Sequence, residues 1–177
     1  TWGGNFYVTP GLGFLSNDKF GSYGHDVNAP GARIAYARHG STLAPTLVLQ
    51  GEGERKRAVM AVGAAGNSWI TSAVYQTLVG MIDQQLDPQA ALELPRFLMG
   101  GGGRGGGGGS AVGVSMEDGF SPAILKQITA MGYNPSLISL QGEVRQGYGA
   151  AVKIENGKAT AGADPRRAGA AGAVPPM

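Results

Sequence analysis

From residue 46 onward, apolar and polar positions alternate in short blocks. The runs TLVLQ (46–50) and RAVMAVG (57–63) are separated by the charged GEGERK, which predicts two strands of a β-hairpin. After GAAGN comes SWITSAVYQTLVGMIDQQL, where Ile70, Val74, Leu78, Met81 and Ile82 recur at helical spacing. Asp87-Pro88 opens a short helix through Leu92, with aspartate at the N-cap and proline at the first helical position. Ser121-Pro122 repeats that signature, and Ile124, Leu125, Ile128 and Met131 form one apolar face before Gly132 ends the helix. The tail YGAAVKIENGKATAGADP predicts a second hairpin turning at Asn156-Gly157. Helices between antiparallel hairpins make an α+β layered arrangement.

The run GGGGRGGGGGS (100–110) interrupts this pattern. It cannot form a helix or strand of its own and reads as a flexible surface loop. A GxGxxG match inside it lacks the strand-turn-helix context of a dinucleotide site. One arginine among glycines is too little for RGG-type RNA binding.

Composition adds bounds. The 177 residues, 42% hydrophobic and 15% charged, suit a single globular domain with a real core. Glycine is the unusual figure, 32 residues against a typical share of about 7%. A net charge of +2 gives no argument for nucleic acid or an anionic membrane as partner. The absence of cysteine excludes disulfides and thiolate chemistry and leaves the compartment open. No apolar run approaches the roughly 18 residues of a membrane span, and no signal-peptide pattern stands at Thr1.

Most chemical motifs are missing. His25 and His39 are the two histidines, at unrelated spacing, and do not make a zinc site without further ligands. Ser41, His39 and Asp18 form a triad on paper only, since no GxSxG elbow supports it. The phosphate loop GxxxxGK[ST] is absent. GAAGNSW, in contrast, joins an apolar strand to the start of a helix. Spacing alone favours a tight turn that needs glycine for its dihedrals. The alternative is an anion or oxyanion site built from free backbone N–H groups.

Six segments carry a resemblance: PGLGFLSND (10–18), GSTLAPTLVL (40–49), VGAAGNSWI (62–70), LPRF (94–97), DGFSP (118–122) and GADPRR (162–167). In this order they resemble the small, C-terminal subunit of the γ-glutamyltranspeptidases, a family of N-terminal-nucleophile hydrolases. The resemblance implies a four-layer αββα sandwich completed by a large subunit, both subunits arising from one self-cleaving precursor. It implies no metal and no organic cofactor, a small-molecule amide or peptide as substrate, and room for a dimer of heterodimers.

The resemblance also bears on Thr1. An N-terminal threonine is the nucleophile of such enzymes, its own amine acting as base. A catalytic Thr1 should begin a strand, whereas Trp2-Gly3-Gly4-Asn5 is a turn signal. The segment aligns with a turn that follows the family's first two strands. The nucleophile is therefore expected roughly 20 residues upstream, by typical strand length, and Thr1 is not it. Gly66 and Asn67 match paired glycines whose backbone N–H groups form the family's oxyanion hole. Ser41 and Thr42 match a Ser-Ser pair that binds the donor's α-carboxylate. Asn17 and Asp18 match an Asn-Asn pair. Lys19 stands where the family holds the donor's α-amino group with a glutamine or similar residue, and Ser22 where it uses an aspartate. These departures weaken γ-glutamyl recognition. Two functions follow: an amidohydrolase or acyltransferase working through an acyl-enzyme but not selective for γ-glutamyl donors, or a non-catalytic member kept as a structural or binding protein.

Overall fold

The computed structural model describes residues 6–16, 23–28, 31–100, 112–138 and 147–172. The chain divides into two units, Thr1–Ser41 and Thr42–Met177. Among its described residues the first unit has no helix or strand, only isolated bridges between Val8 and Leu15 and between Gly24 and Ala32. Thr1, Asn17, Asp18, Lys19, Ser22 and residues 101–110 of the glycine run lie outside the described residues.

In the second unit the two apolar runs form β1 (Thr46–Gln50) and β2 (Arg57–Ala65), paired antiparallel with Thr46 opposite Val62. The tail hairpin forms β6 (Tyr148–Glu155) and β7 (Lys158–Ala163), and the sheet order is β1-β2-β6-β7. Its turn has φ of 51° at Asn156 and 76° at Gly157, the paired positive values that a two-residue hairpin of matching twist requires.

Helix α1 (Trp69–Ile82) and helix α2 (Pro88–Glu93) cover one face of this sheet. Alternation along the strands sends Met60, Val62 and Ala64 toward a core shared with Val74, Met81, Ala91, Leu92 and Ala151. The expected α1 stripe holds at Ile70, Val74 and Met81, with Leu78 against the core, while Ile82 at the helix end is exposed. Asp87 caps α2 by accepting from the N–H groups of Gln89 and Ala90. The opposite face carries Leu47, Ala61, Val152 and Ile154, and no helix among the described residues covers it. Leu47 is 65% exposed and Ile154 44%. A sheet with one apolar face open is half of a sandwich.

Close approach of α2 to the sheet depends on Gly162. A Cβ there would lie 2.7 Å from the backbone N of Gln89 and C of Pro88. Gly162→Ala is therefore expected to destabilise the intact protein by about 1–3 kcal/mol. Gly172→Ala, which meets nothing within 4 Å, serves as the control in thermal denaturation.

A second sheet, β3-β4-β5, comprises Phe97–Met99, Gly113–Glu117 and Asn134–Ile138. The hydrophobic pattern predicts none of these strands, because they are short, β5 contains Pro135, and β4 ends on a buried Glu117. Strands β4 and β5 pair parallel, so a crossover must join them, and α3 (Pro122–Ala130) supplies it. This parallel pair stands beside the two antiparallel hairpins that were expected. Ser121 caps α3 as predicted, accepting from Ile124 N–H at 3.4 Å. The apolar face does not become core: no α3 residue is buried, Ile124 is 41% exposed and Met131 72%. The reason is position, since among the described residues α3 packs chiefly on the edge strand β5.

Candidate active site

The end of β2 is stripped of side chains, running Ala64-Ala65-Gly66 before the chain turns into α1. Gly66 has φ of 126° and Asn67 has φ of 54°. Both values lie in the region that favours glycine, and asparagine is among the few other residues that tolerate it. The turn reading and the anion-site reading of GAAGNSW are therefore both compatible with this junction. The carbonyls of Gly66 and Asn67 accept from the N–H groups of Trp69 and Ile70 at 3.1 Å each, closing the first turn of α1. Trp69 and Ile70 are buried and anchor that turn in the core. Ser68 at the N-cap position makes no side-chain cap. Among the described residues the N–H groups of Gly66 and Asn67 have no acceptor, and Asn67 is exposed. Orphan donors at the positive end of a helix dipole are suited to oxygen carrying negative charge.

Thr42 lies at the same end of the sheet. It precedes β1 by four residues, as Gly66 follows Val62, the partner of Thr46, by four. Ala44, between Thr42 and β1, packs on the same core cluster as Ala64. Ser41 is the last residue of the first unit and His39 Nδ1 donates to the carbonyl of Gly40 at 2.6 Å. Asp18, Lys19 and Ser22 lie outside the described residues, so the structure places none of them. Among the described residues no group of three or more metal-ligating side chains occurs, and no helix is long and apolar enough to cross a membrane. A cavity of about 860 Å³ opens at the opposite end of β2, between Arg57, Ile82, Lys153 and Gly157. It contains neither Gly66 nor Asn67, and orphan N–H groups mark the chemistry better than volume does.

A buried ionic cluster beside the start of β6 was not read from the sequence. Arg96, Glu117, Asp164 and Arg166 are all buried, two cations against two anions. Arg96 donates to Asp164 Oδ2 at 2.6 Å, to the carbonyl of Leu92 at 3.0 Å, and to the carbonyl of Gly147. Its own N–H donates to Glu117 Oε2 at 2.7 Å. Arg166 grips Glu117 with Nε, at 2.5 Å, and with Nη2, and reaches the carbonyls of Leu92 and Leu94 at 2.7 and 2.8 Å. Asp164 accepts from Gly149 N–H at 2.8 Å. Among the described residues no buried side-chain polar atom is left without a partner.

The two arginines respond to burial differently. Burial, reinforced by the Arg166 charge, holds Arg96 below the ordinary guanidinium value against the pull of Asp164. For Arg166 burial acts the same way, but the hydrogen bonds and charge of Glu117 outweigh it and raise the value. Burial works to raise Asp164, yet the Arg96 charge and the N–H groups of Arg166 and Gly149 bring its carboxyl below the usual range. The four residues are far apart in sequence; a charge inside the otherwise apolar LPRF and GADP segments marks Arg96 and Asp164, and no comparable signal marks Glu117 or Arg166.

Solved γ-glutamyltranspeptidases and a cephalosporin acylase share this fold. A γ-glutamyltranspeptidase from Pseudomonas nitroreducens in complex with L-DON matches with a TM-score of 0.71 at 20% identity, over 98% of this chain and 88% of that one. An acivicin-inhibited γ-glutamyltranspeptidase, whose C-terminus has critical roles in autoprocessing and catalysis, matches with a TM-score of 0.70 at 22% identity, over 93% and 86%. The cephalosporin acylase of Bacillus halodurans matches with a TM-score of 0.72 at 22% identity, over 92% of this chain and 28% of that longer one. No curated protein matches the chain. The family model for γ-glutamyltranspeptidase matches residues 1–174, and the chain belongs to that family.

Proposed function

We propose that this chain is the small-subunit portion of an amidohydrolase or acyltransferase that works through an acyl-enzyme and is not selective for γ-glutamyl donors. The observation that carries this reading is the pair of N–H groups at Gly66 and Asn67 without acceptors among the described residues, in a chain of this family. A threonine upstream of Thr1 attacks the amide carbonyl, and its α-amine takes the hydroxyl proton. The C–O bond forms as the carbonyl oxygen gains negative charge, which the two N–H groups stabilise. The C–N bond then breaks, the proton passes to the departing amine, and water or a second amine resolves the ester. A large subunit from the same precursor covers the open sheet face that carries Leu47, Val152 and Ile154.

Donor choice follows from the residues matched to the recognition positions. Hydroxyls at Ser41 and Thr42 donate to a carboxylate. A γ-glutamyl donor also carries an ammonium, which would meet Lys19 in place of an amide and neutral Ser22 in place of a carboxylate. Two like charges about 4 Å apart cost roughly 4 kcal/mol at a near-surface dielectric, about a thousandfold in affinity. An acyl group without the α-amine, such as glutaryl, avoids that cost.

Two measurements on the intact protein test this reading. Mass spectrometry of the processed chains should find a new N-terminal threonine before a strand upstream of Thr1, and its absence would leave only the non-catalytic reading. Glutaryl-anilide should then exceed γ-glutamyl-anilide in kcat/KM, with the order reversed in the Lys19→Gln, Ser22→Asp double variant. A native preference for the γ-glutamyl compound refutes the assignment of Lys19 and Ser22.

A further inference from the structure

The cavity at the far end of β2 owes its chemistry to an irregularity in the sheet. Thr46 opposes Val62 and Val48 opposes Met60, but the register then slips, so that Leu49 opposes Ala58 and Gln50 opposes Arg57. Met60 and Val62 face the helices, and residues directly opposite share a face. Alternation along β1 therefore places Thr46, Val48 and Gln50 on that same side. In regular pairing Gln50 would oppose Ala58. The bulge at Val59 sets Arg57 there instead. A guanidinium thus replaces a methyl group in the cavity wall, which Arg57 lines.

Two cations reach this cavity. Arg57 is exposed and makes no hydrogen bond or ion pair among the described residues. Lys153 lies opposite Met60 with its side chain 12% exposed, and its charged neighbour is Glu155 at 3.6 Å, too far for a hydrogen bond. Glu155 is itself 64% exposed, so solvent competes for its carboxylate. Val48, Met60 and Ile82 make the wall between these charges apolar. A volume of about 860 Å³ with an apolar lining and a few convergent polar groups suits a small molecule. We propose that the cavity binds an amphipathic monocarboxylate, its carboxylate held by Arg57 and Lys153 and its aliphatic body laid against Val48, Met60 and Ile82. The planar fork of arginine matches a carboxylate, and Lys153 adds a second donor to it. Each methylene buried against the apolar wall adds about fourfold in affinity.

This site lies at the end of β2 away from Gly66 and Asn67, and its test does not depend on the proposed reaction. Calorimetric titration of the intact processed protein with octanoate reads it directly. Octanoate should bind at about one per small subunit and roughly tenfold more tightly than hexanoate, which is two methylenes shorter. Octan-1-ol, without the charge, and octylammonium, with the opposite charge, should each bind at least about tenfold more weakly. Arg57→Met should weaken octanoate by about tenfold while melting with the native protein. Glu155→Gln removes the anion that competes for Lys153 and should tighten octanoate by a few-fold without changing octan-1-ol. Equal affinity for octanoate and octan-1-ol, or octanoate binding unchanged in Arg57→Met, overturns the inference. So does failure of the intact protein to bind octanoate, which would mean that another part of the assembly fills the cavity.

Discussion

Arg96→Met is expected to destabilise the intact protein by about 3–5 kcal/mol, the range for removing one partner from a buried ion pair. Arg96 is 1% exposed, so water cannot replace what it provides. Its loss leaves the carbonyl of Gly147 without the guanidinium and leaves Asp164 and Glu117 as two buried carboxylates facing one arginine. Asp164→Asn should cost less, since the amide keeps the shape and one acceptor. The double variant should cost less than the sum of the two by about 1 kcal/mol or more, because the residues touch. Chemical denaturation of the four proteins measures this, and additivity would show that the pair is not coupled. The same cluster sets an acid limit. The folded Asp164 carboxyl lies below its ordinary value of 3.8, so its contribution is fully present above that value and is lost as pH falls through the lower, folded one. Stability should therefore fall below about pH 4, and less steeply in Asp164→Asn.

The helices and the two long hairpins were legible because their signals are local. Asp87-Pro88 and Ser121-Pro122 both cap helices, and Asn156-Gly157 turns a hairpin with the two positive φ values it implies. The β3-β4-β5 sheet was hidden because its strands are short and owe their pairing to contacts across the glycine run and α3. The exposed α3 face shows the converse failure: helical periodicity marks an apolar side without saying whether anything in this chain covers it. At the candidate site, VGAAGNSW was legible as a strand-to-helix junction, since glycine leaves a trace wherever side chains are excluded. The ionic cluster left almost none. Arg96 meets Asp164 across 68 residues and Arg166 meets Glu117 across 49, distances that no spacing rule spans. The cluster also ties β6 to the fold where Tyr148 and Gly149 pair with the end of β2, because it holds the backbone of Gly147 and Gly149.

Substitution at Asn67 should change turnover by the largest factor, and the backbone decides which variant is informative. Losing one oxyanion donor typically costs about 10²–10³ in kcat. Asn67→Pro deletes the N–H, but proline is locked near φ of about −65° and Asn67 sits at 54°, so the turn breaks as well. That variant should lose both activity and melting temperature and cannot distinguish catalysis from folding. Asn67→Gly keeps the N–H and adopts the same φ without strain, so activity should be retained and stability kept or slightly raised. Asn67→Asp is the discriminating change. Aspartate shares asparagine's tolerance of positive φ and keeps the N–H, while adding a negative charge beside the oxygen that becomes anionic. Two such charges about 5 Å apart repel by roughly 3 kcal/mol at an effective dielectric of about 20, about a hundredfold in kcat. Asn67 is exposed in this chain, and solvent that persists there in the assembled enzyme would bring the loss closer to about tenfold. Because protonation removes the charge, kcat of the aspartate variant relative to native should rise as pH falls toward about 4. Thermal denaturation should show the native, glycine and aspartate proteins melting together. Equal kcat for all three at neutral pH would mean that the reacting oxygen does not sit at the β2–α1 junction.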